Sequence, residues 1–226
     1  MTIRVVKTCV YCGSVATTKD HVPPQGLFPN IKGLQLKTVP CCEKCNQEFS
    51  KDEPFFRDHM VAFAMDKSIT ANTLFETKIR RSISYDKKLA EYMFNKMQEV
   101  DLLSPSNIFL GQRTAIKMPE EDWKRIHCIL DKIVKGLLYI ESGKTLPDSH
   151  VLRHFVISGK ELLAKHQDLL PLIRWKLGKY DNVFLYGFAN VPGLFDSVWL
   201  TQFYGTNAFM TFVRNKKYLE TDKSSI

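Results

Sequence analysis

Residues 9–46 read CVYCGSVATTKDHVPPQGLFPNIKGLQLKTVPCCEKCN and decide the fold of the first part of the chain. Five of the six cysteines in the 226-residue chain lie in this stretch. Four of them form two C-x2-C pairs, Cys9 with Cys12 and Cys42 with Cys45, separated by 29 residues. Two such pairs supply the four thiolates of a tetrahedral zinc site. The spacing therefore predicts a structural Zn²⁺ ion, with a further element of structure between the pairs.

Cys41 is an alternative to Cys42, because the two residues are adjacent. We assign Cys42 to the site, since it keeps the two-residue gap before Cys45. Cys41 then does not bind the metal, and Cys128 is expected to be a buried helix residue. A small module with little apolar surface to bury needs such a metal to fold, so the zinc by itself does not indicate a function.

The composition favours a folded protein with a polyanionic partner. Apolar residues make up 44% of the chain and charged residues 25%, which is typical of globular proteins. The net charge is +8 and the isoelectric point about 9.1, a balance that suits nucleic acid. We find no apolar run near the roughly 18–20 residues of a membrane span, and the first residues are too polar for a signal peptide. A cytoplasmic protein without a membrane segment is expected.

The pattern of the chain predicts an α+β fold in two parts, residues 1–66 and 67–226. Residues 3–9 and 34–42 have strand character and lead into the two cysteine pairs. Helical periodicity then follows, with Ser50 as an expected N-cap, Glu53 completing a capping box and Pro54 in the first turn.

The second part combines helices with strands. Residues 119–143 predict a long amphipathic helix, with Pro119 and acidic residues at its start and Gly143 at its end. Alternating apolar residues near the end of the chain predict strands, with a hairpin turn at 205–207. The role of this part is open, with substrate positioning, dimerisation and partner binding as alternatives.

An aspartate–histidine pair lies between the cysteine pairs, and an asparagine follows the last cysteine. Asp20 and His21 are followed by a valine and two prolines, and Asn46 comes directly after Cys45. The order C-x2-C, D-H-V-x-P, P-C-C-x-x-C-N resembles the zinc-stapled HNH, or ββα-metal, nuclease family. The resemblance covers about residues 7–60. Modules of this family act in restriction, phage defence and mobile elements.

The resemblance implies a metal-dependent endonuclease with a fold of two strands and a helix. By the family pattern, His21 is the general base that takes a proton from the attacking water. Asp20 and Asn46 are then ligands of a catalytic divalent cation, Mg²⁺ or Mn²⁺, while the zinc is structural. These roles agree with general chemistry, since imidazole titrates near about 6.5 and hard cations prefer oxygen ligands.

Two features depart from an ideal match. The middle asparagine of the motif is absent, and its place falls on Lys37 or Thr38. In addition, neighbouring residues on a strand point to opposite faces, so Asp20 and His21 converge only where the strand bends or where a ligand lies at its edge.

A non-catalytic alternative remains open. His21 is then a loop residue or a spare zinc ligand, Asp20 a turn residue, and the chain a zinc-stabilised module that binds nucleic acid or protein. Under the nuclease interpretation the partner is nucleic acid, with DNA favoured over RNA. A homodimer or a partner protein needed for activity is a further alternative.

Overall fold

The structure is a computed structural model that describes residues 6–29, 32–85, 87–176, 180 and 182–218. The predicted α+β class is confirmed. In the first part, strands β1 (Thr18–Val22) and β2 (Lys37–Cys41) form an antiparallel hairpin, and helix α1 (Glu43–Ala62) follows directly. Residues 3–5 of the predicted first strand lie outside the described residues, and its remainder contributes an isolated bridge between Thr8 and Val15.

The middle of the chain forms helices and a second hairpin. Helices α2 (Ile69–Leu74) and α3 (Arg80–Tyr85) are joined by a π-helical turn over Phe75–Ile79, and α4 (Lys87–Phe94) follows. Strands β3 (Met97–Leu103) and β4 (Phe109–Ile116) form a two-stranded antiparallel sheet. Helix α5 (Glu120–Ser142) begins after Pro119 and ends at Gly143, as the sequence predicts, and Gly143 takes the left-handed conformation with φ 71°.

The end of the chain builds a five-stranded antiparallel sheet in the order β5-β9-β8-β7-β6. Its strands are β5 (His150–Val156), β6 (Arg174–Lys176), β7 (Phe184–Asn190), β8 (Ser197–Phe203) and β9 (Asn207–Asn215). Helix α6 (Gly159–His166) and a 3₁₀ turn over Gln167–Leu172 connect β5 to β6. The predicted hairpin turn between β8 and β9 is confirmed.

The start of α1 differs from the prediction. The helix begins at Glu43, and its N-cap is Cys42, whose sulfur accepts from the Cys45 N–H. Ser50 is therefore inside the helix and not its cap, and its hydroxyl donates to the Gln47 carbonyl at 2.8 Å. Pro54 is also internal, which leaves the Ser50 carbonyl without its i+4 donor. The helix extends back to the cysteine pair because Cys42 offers the earlier cap.

One hydrophobic core extends across the predicted boundary at residue 66. Val22 and Val39 of the first hairpin and Phe56 of α1 share it with Ile133 of α5 and Phe203 of the large sheet. Polar contacts also join the two parts, since the Tyr204 hydroxyl donates to the Leu27 carbonyl at 2.8 Å. Helix α5 lies at the centre of this arrangement and packs against both α1 and the first hairpin.

Gly136 allows the close approach of α5 to β1. A Cβ atom on Gly136 would lie 2.5 Å from Val22 Cγ2, well inside van der Waals contact. We expect Gly136→Ala to destabilise the protein by about 1–3 kcal/mol, although alanine is the better helix former by about 1 kcal/mol. Urea denaturation measures the change.

Two controls accompany that measurement. Val22→Ala in the Gly136→Ala background removes the overlapping methyl groups and should recover part of the loss. Gly159→Ala adds a Cβ in open space and should leave stability unchanged or slightly higher. Equal effects of Gly136→Ala and Gly159→Ala would contradict the close approach.

Within the described part of the chain, the helices lack the combination of length and apolar character that crossing a bilayer requires.

Candidate metal centre and active site

The four predicted cysteines converge at the base of the hairpin and α1. The sulfur atoms of Cys9, Cys12, Cys42 and Cys45 all lie within 4.8 Å of one another. Cys12 Sγ and Cys42 Sγ are 3.6 Å apart, which is far longer than a disulfide bond of about 2.05 Å. Thiolates around a tetrahedral zinc are separated by roughly 3.8 Å, given a Zn–S distance of about 2.3 Å. The cluster could therefore hold a metal such as zinc, and it contains no histidine.

Cys41 lies outside the cluster, as the spacing predicts. It is fully buried, and its thiol donates to the Cys42 carbonyl. Burial and the charge of Cys9 raise the pKa of Cys41 to about 12, so it stays a thiol. By contrast, hydrogen bonds with Ser14 lower the pKa of Cys12 to about 6, which favours the thiolate that binds metal.

Asp20 lies on the inner face of β1 and is almost fully buried, at 5% exposure. Its Oδ2 accepts a hydrogen bond from the Tyr11 hydroxyl at 2.7 Å, and its Oδ1 lies 2.9 Å from Lys132 Nζ. Burial and the carboxylate of Asp20 raise the pKa of Tyr11, so its hydroxyl remains a donor. Lys132 is itself fully buried and also pairs with Glu53 of α1. Both oxygens of Asp20 are therefore engaged by protein groups.

His21 lies on the other face of β1. The register from Thr18 paired with Cys41 to Val22 paired with Lys37 is regular, so the strand has no bulge that would turn Asp20 and His21 to one side. His21 is half-buried and lies opposite Thr38, one of the two residues at the place of the missing asparagine. Across the described residues, no hydrogen bond joins His21 to Asp20 or Asn46.

Asn46 lies in the first turn of α1 and is half-buried. Its backbone N–H donates to the Cys42 carbonyl at 3.1 Å, which fixes it beside the cysteine cluster. Phe49 and Glu53 lie three and seven positions later, on the same face of the helix. Phe49 packs against Tyr11 with ring centroids 4.8 Å apart, so this face is directed towards the buried side of β1.

The residues at the two implied metal sites differ in how readily they could bind a metal ion. The cysteine cluster offers four sulfur ligands at suitable separations. Asp20 offers no free oxygen, and the ammonium group of Lys132 already supplies a positive charge there. A divalent cation on Asp20 would have to displace Lys132 Nζ from Oδ1, so Asp20 and Asn46 as ligands of Mg²⁺ or Mn²⁺ stay a prediction.

Lys132 is the residue near this site that the sequence did not reveal. It lies on the buried face of the amphipathic helix α5, 112 positions after Asp20, and the local sequence does not indicate its partner. One turn later is Gly136, which contacts Val22. Together they show that one face of α5 crosses β1. The available indication was a lysine at a position on the apolar face of α5, because a fully buried lysine requires a partner.

Comparison with known proteins adds nothing to this description: no family model, no curated protein and no solved structure matches the chain. The resemblance to the HNH family therefore rests on the motif residues of the sequence, to which the structure adds the cluster of four cysteines.

Proposed function

We propose that the protein is a zinc-stapled HNH-type endonuclease that hydrolyses phosphodiester bonds in nucleic acid, with DNA preferred to RNA. The observation that carries the proposal is the arrangement of residues 9–62. An antiparallel hairpin leads directly into a helix, and four cysteines meet at their junction. Asp20 and His21 lie on the first strand of this unit and Asn46 in the first turn of its helix.

His21 is the proposed general base. A neutral imidazole accepts the proton of an attacking water near neutral pH, which strengthens the nucleophile. His21 lies on the face of β1 opposite Asp20 and is half-buried, so part of its side chain is accessible to water. The zinc is proposed to be structural, because a site closed by four thiolates has no open position for a substrate. A Mg²⁺ or Mn²⁺ ion would supply charge stabilisation at the scissile phosphate.

A second candidate function is a zinc-stabilised module that binds nucleic acid or protein without catalysis. The pairing of Asp20 with Lys132 and Tyr11 favours it, since a buried and fully engaged carboxylate is suited to holding the fold together. In that case the same hairpin and helix form a rigid surface, and His21 contributes only contacts.

Cleavage of supercoiled plasmid tests the proposal. We expect the zinc-loaded protein to nick plasmid in the presence of Mg²⁺ or Mn²⁺, and His21→Ala to lower the rate at least about 100-fold, the usual contribution of a general base. His166→Ala is the matched control, since His166 is also half-buried but lies at the end of α6. Its rate should equal that of the parent.

Two results would contradict the proposal. One is cleavage that His21→Ala leaves unchanged. The other is absence of cleavage by parent protein that carries stoichiometric zinc and unfolds cooperatively.

A further inference from the structure

The outer face of the five-stranded sheet, which points away from α5, is only partly covered. Helix α6 and the 3₁₀ turn after it pack on one end through Leu162 and Leu169, above Leu200 and Met210. The other end remains open as a cleft of about 1270 Å³. Ala189, Val198 and Phe212 are among its lining residues, so strands β7, β8 and β9 all contribute to it. We call this feature the sheet cleft.

Large apolar side chains are exposed around the sheet cleft. Phe155 is 49% exposed, Leu172 62% and Leu194 55%, and all three line the same space. Single exposed apolar residues are common, but several around one concave surface indicate an interaction site.

The charge of the sheet cleft is positive. Arg153, Arg174 and Arg214 line it, and among its described lining residues Asp196 is the one acid. The carboxylate of Asp196 accepts a hydrogen bond from the backbone N–H of Asn215 at 3.0 Å and lies 3.6 Å from His150 Nε2. It therefore already interacts with two groups of the protein. A cleft with this balance attracts an anionic partner.

Aromatic rings lie beside these arginines. Phe155 and Phe212 are packed edge to face with centroids 5.8 Å apart, and Arg153 is the cross-strand partner of Phe212. Tyr218 lines the same cleft, with Lys217 Nζ 4.6 Å from its ring centroid. Aromatic rings on an open sheet stack unpaired bases, while nearby cations hold the phosphates. An acidic peptide would use the cations but gains less from rings that alternate with them.

We infer that the sheet cleft binds single-stranded nucleic acid, with bases stacked on Phe155 and Tyr218 and phosphates held by Arg153 and its neighbours. The choice of nucleic acid as the partner rests on the proposed function. The sheet cleft and β1 lie on opposite faces of the five-stranded sheet. The cleft is therefore a second contact surface and not part of the proposed hydrolytic site.

The test uses the full chain and a fluorescently labelled 12-nucleotide oligothymidine, without added Mg²⁺ or Mn²⁺. Fluorescence anisotropy gives the dissociation constant of the parent and of the double variant Arg153→Glu, Phe155→Ala. We expect at least tenfold weaker binding, since one stacked base and one phosphate contact are lost together. The dependence of affinity on salt should also become shallower, because a phosphate contact is lost.

The matched control is Phe109→Ala, Arg113→Glu on the β3–β4 hairpin, where an exposed phenylalanine and an exposed arginine also lie on one strand. It carries the same charge change and should bind within about twofold of the parent. Circular dichroism and thermal unfolding establish that both double variants are folded.

Equal binding by the parent and the cleft variant would overturn the inference, as would equal losses in the cleft and control variants. Tight binding of a labelled polyglutamate peptide at the cleft in place of the oligonucleotide would also overturn it, as would a dimer that the cleft variant dissociates. If the parent cleaves plasmid but the cleft variant binds the oligonucleotide as tightly as the parent, this inference fails and the proposed function stands. If the cleft variant binds the oligonucleotide more weakly but the parent does not cleave plasmid, the proposed hydrolysis fails and this inference stands.

Discussion

Replacing Cys42 by serine is expected to release the bound metal and to unfold the first part of the chain. The cluster joins β2 and α1 to the segment around Cys9, and its four thiols, of which Cys12 is exposed and the other three are buried, do not hold that segment in place without a metal. Structural zinc contributes on the order of 10 kcal/mol to folding in small domains. Because Val22 and Val39 share their core with α5, the loss should reach beyond the hairpin and lower the melting temperature by about 10 °C or more.

Cys41→Ser is the matched control for this experiment. It changes the adjacent residue, which lies outside the cluster, and a serine hydroxyl can still donate to the Cys42 carbonyl. Metal content from mass spectrometry and thermal unfolding should show one zinc per chain in the parent and in Cys41→Ser, and none in Cys42→Ser. Retention of zinc by Cys42→Ser, or its loss from Cys41→Ser, would show that the four-cysteine site is wrongly assigned.

Replacing Lys132 by methionine is expected to destabilise the protein by about 3–5 kcal/mol. Methionine fills a similar volume, but it leaves the carboxylates of Asp20 and Glu53 near each other with no cation between them. Removal of one partner from a buried ion pair has this cost because the remaining charge stays away from water. Urea denaturation at neutral pH measures the difference.

Asp20→Asn combined with Lys132→Met should recover most of that stability, since no uncompensated charge then remains on β1. Lys135→Met, on the same helix and only half-buried, should change stability by less than about 1 kcal/mol. A small effect of Lys132→Met, or a double variant as unstable as the single one, would contradict the buried pair.

The same variant tests whether Asp20 can hold a cation. With the ammonium group removed, Mn²⁺ should raise the melting temperature of Lys132→Met, because binding to the folded state alone stabilises it. The parent should respond less, since Lys132 competes for the same carboxylate oxygen. Equal responses would mean that Mn²⁺ does not bind at Asp20 in either protein.

The sequence was most informative where local chemistry determines structure. The two C-x2-C pairs allow one four-sulfur cluster, and Cys42 was selected correctly because its spacing repeats that of Cys9 and Cys12. Helix α5 was predicted with both ends, since Pro119 and Gly143 act on their immediate neighbours. The β8–β9 hairpin was predicted because its turn and alternating pattern are also local.

The sequence was least informative where distant elements meet. Ser50 was a reasonable helix cap, but Cys42 capped the helix earlier, and a continuous α1 then placed Ser50 inside. The pairing of Asp20 with Lys132 requires α5 to cross β1, and no local pattern specifies that crossing. As a result, Lys132 Nζ lies 2.9 Å from Asp20 Oδ1, on the carboxylate to which the resemblance assigns a divalent cation.

One paired measurement tests the proposed nuclease most directly. A labelled duplex is incubated with parent or His21→Ala protein in Mn²⁺, and binding and cleavage are followed in the same samples. The account predicts that both proteins bind the duplex with similar affinity and that the parent alone cleaves it. Equal binding with no cleavage by either zinc-loaded protein would contradict the account and leave the non-catalytic binding module in its place.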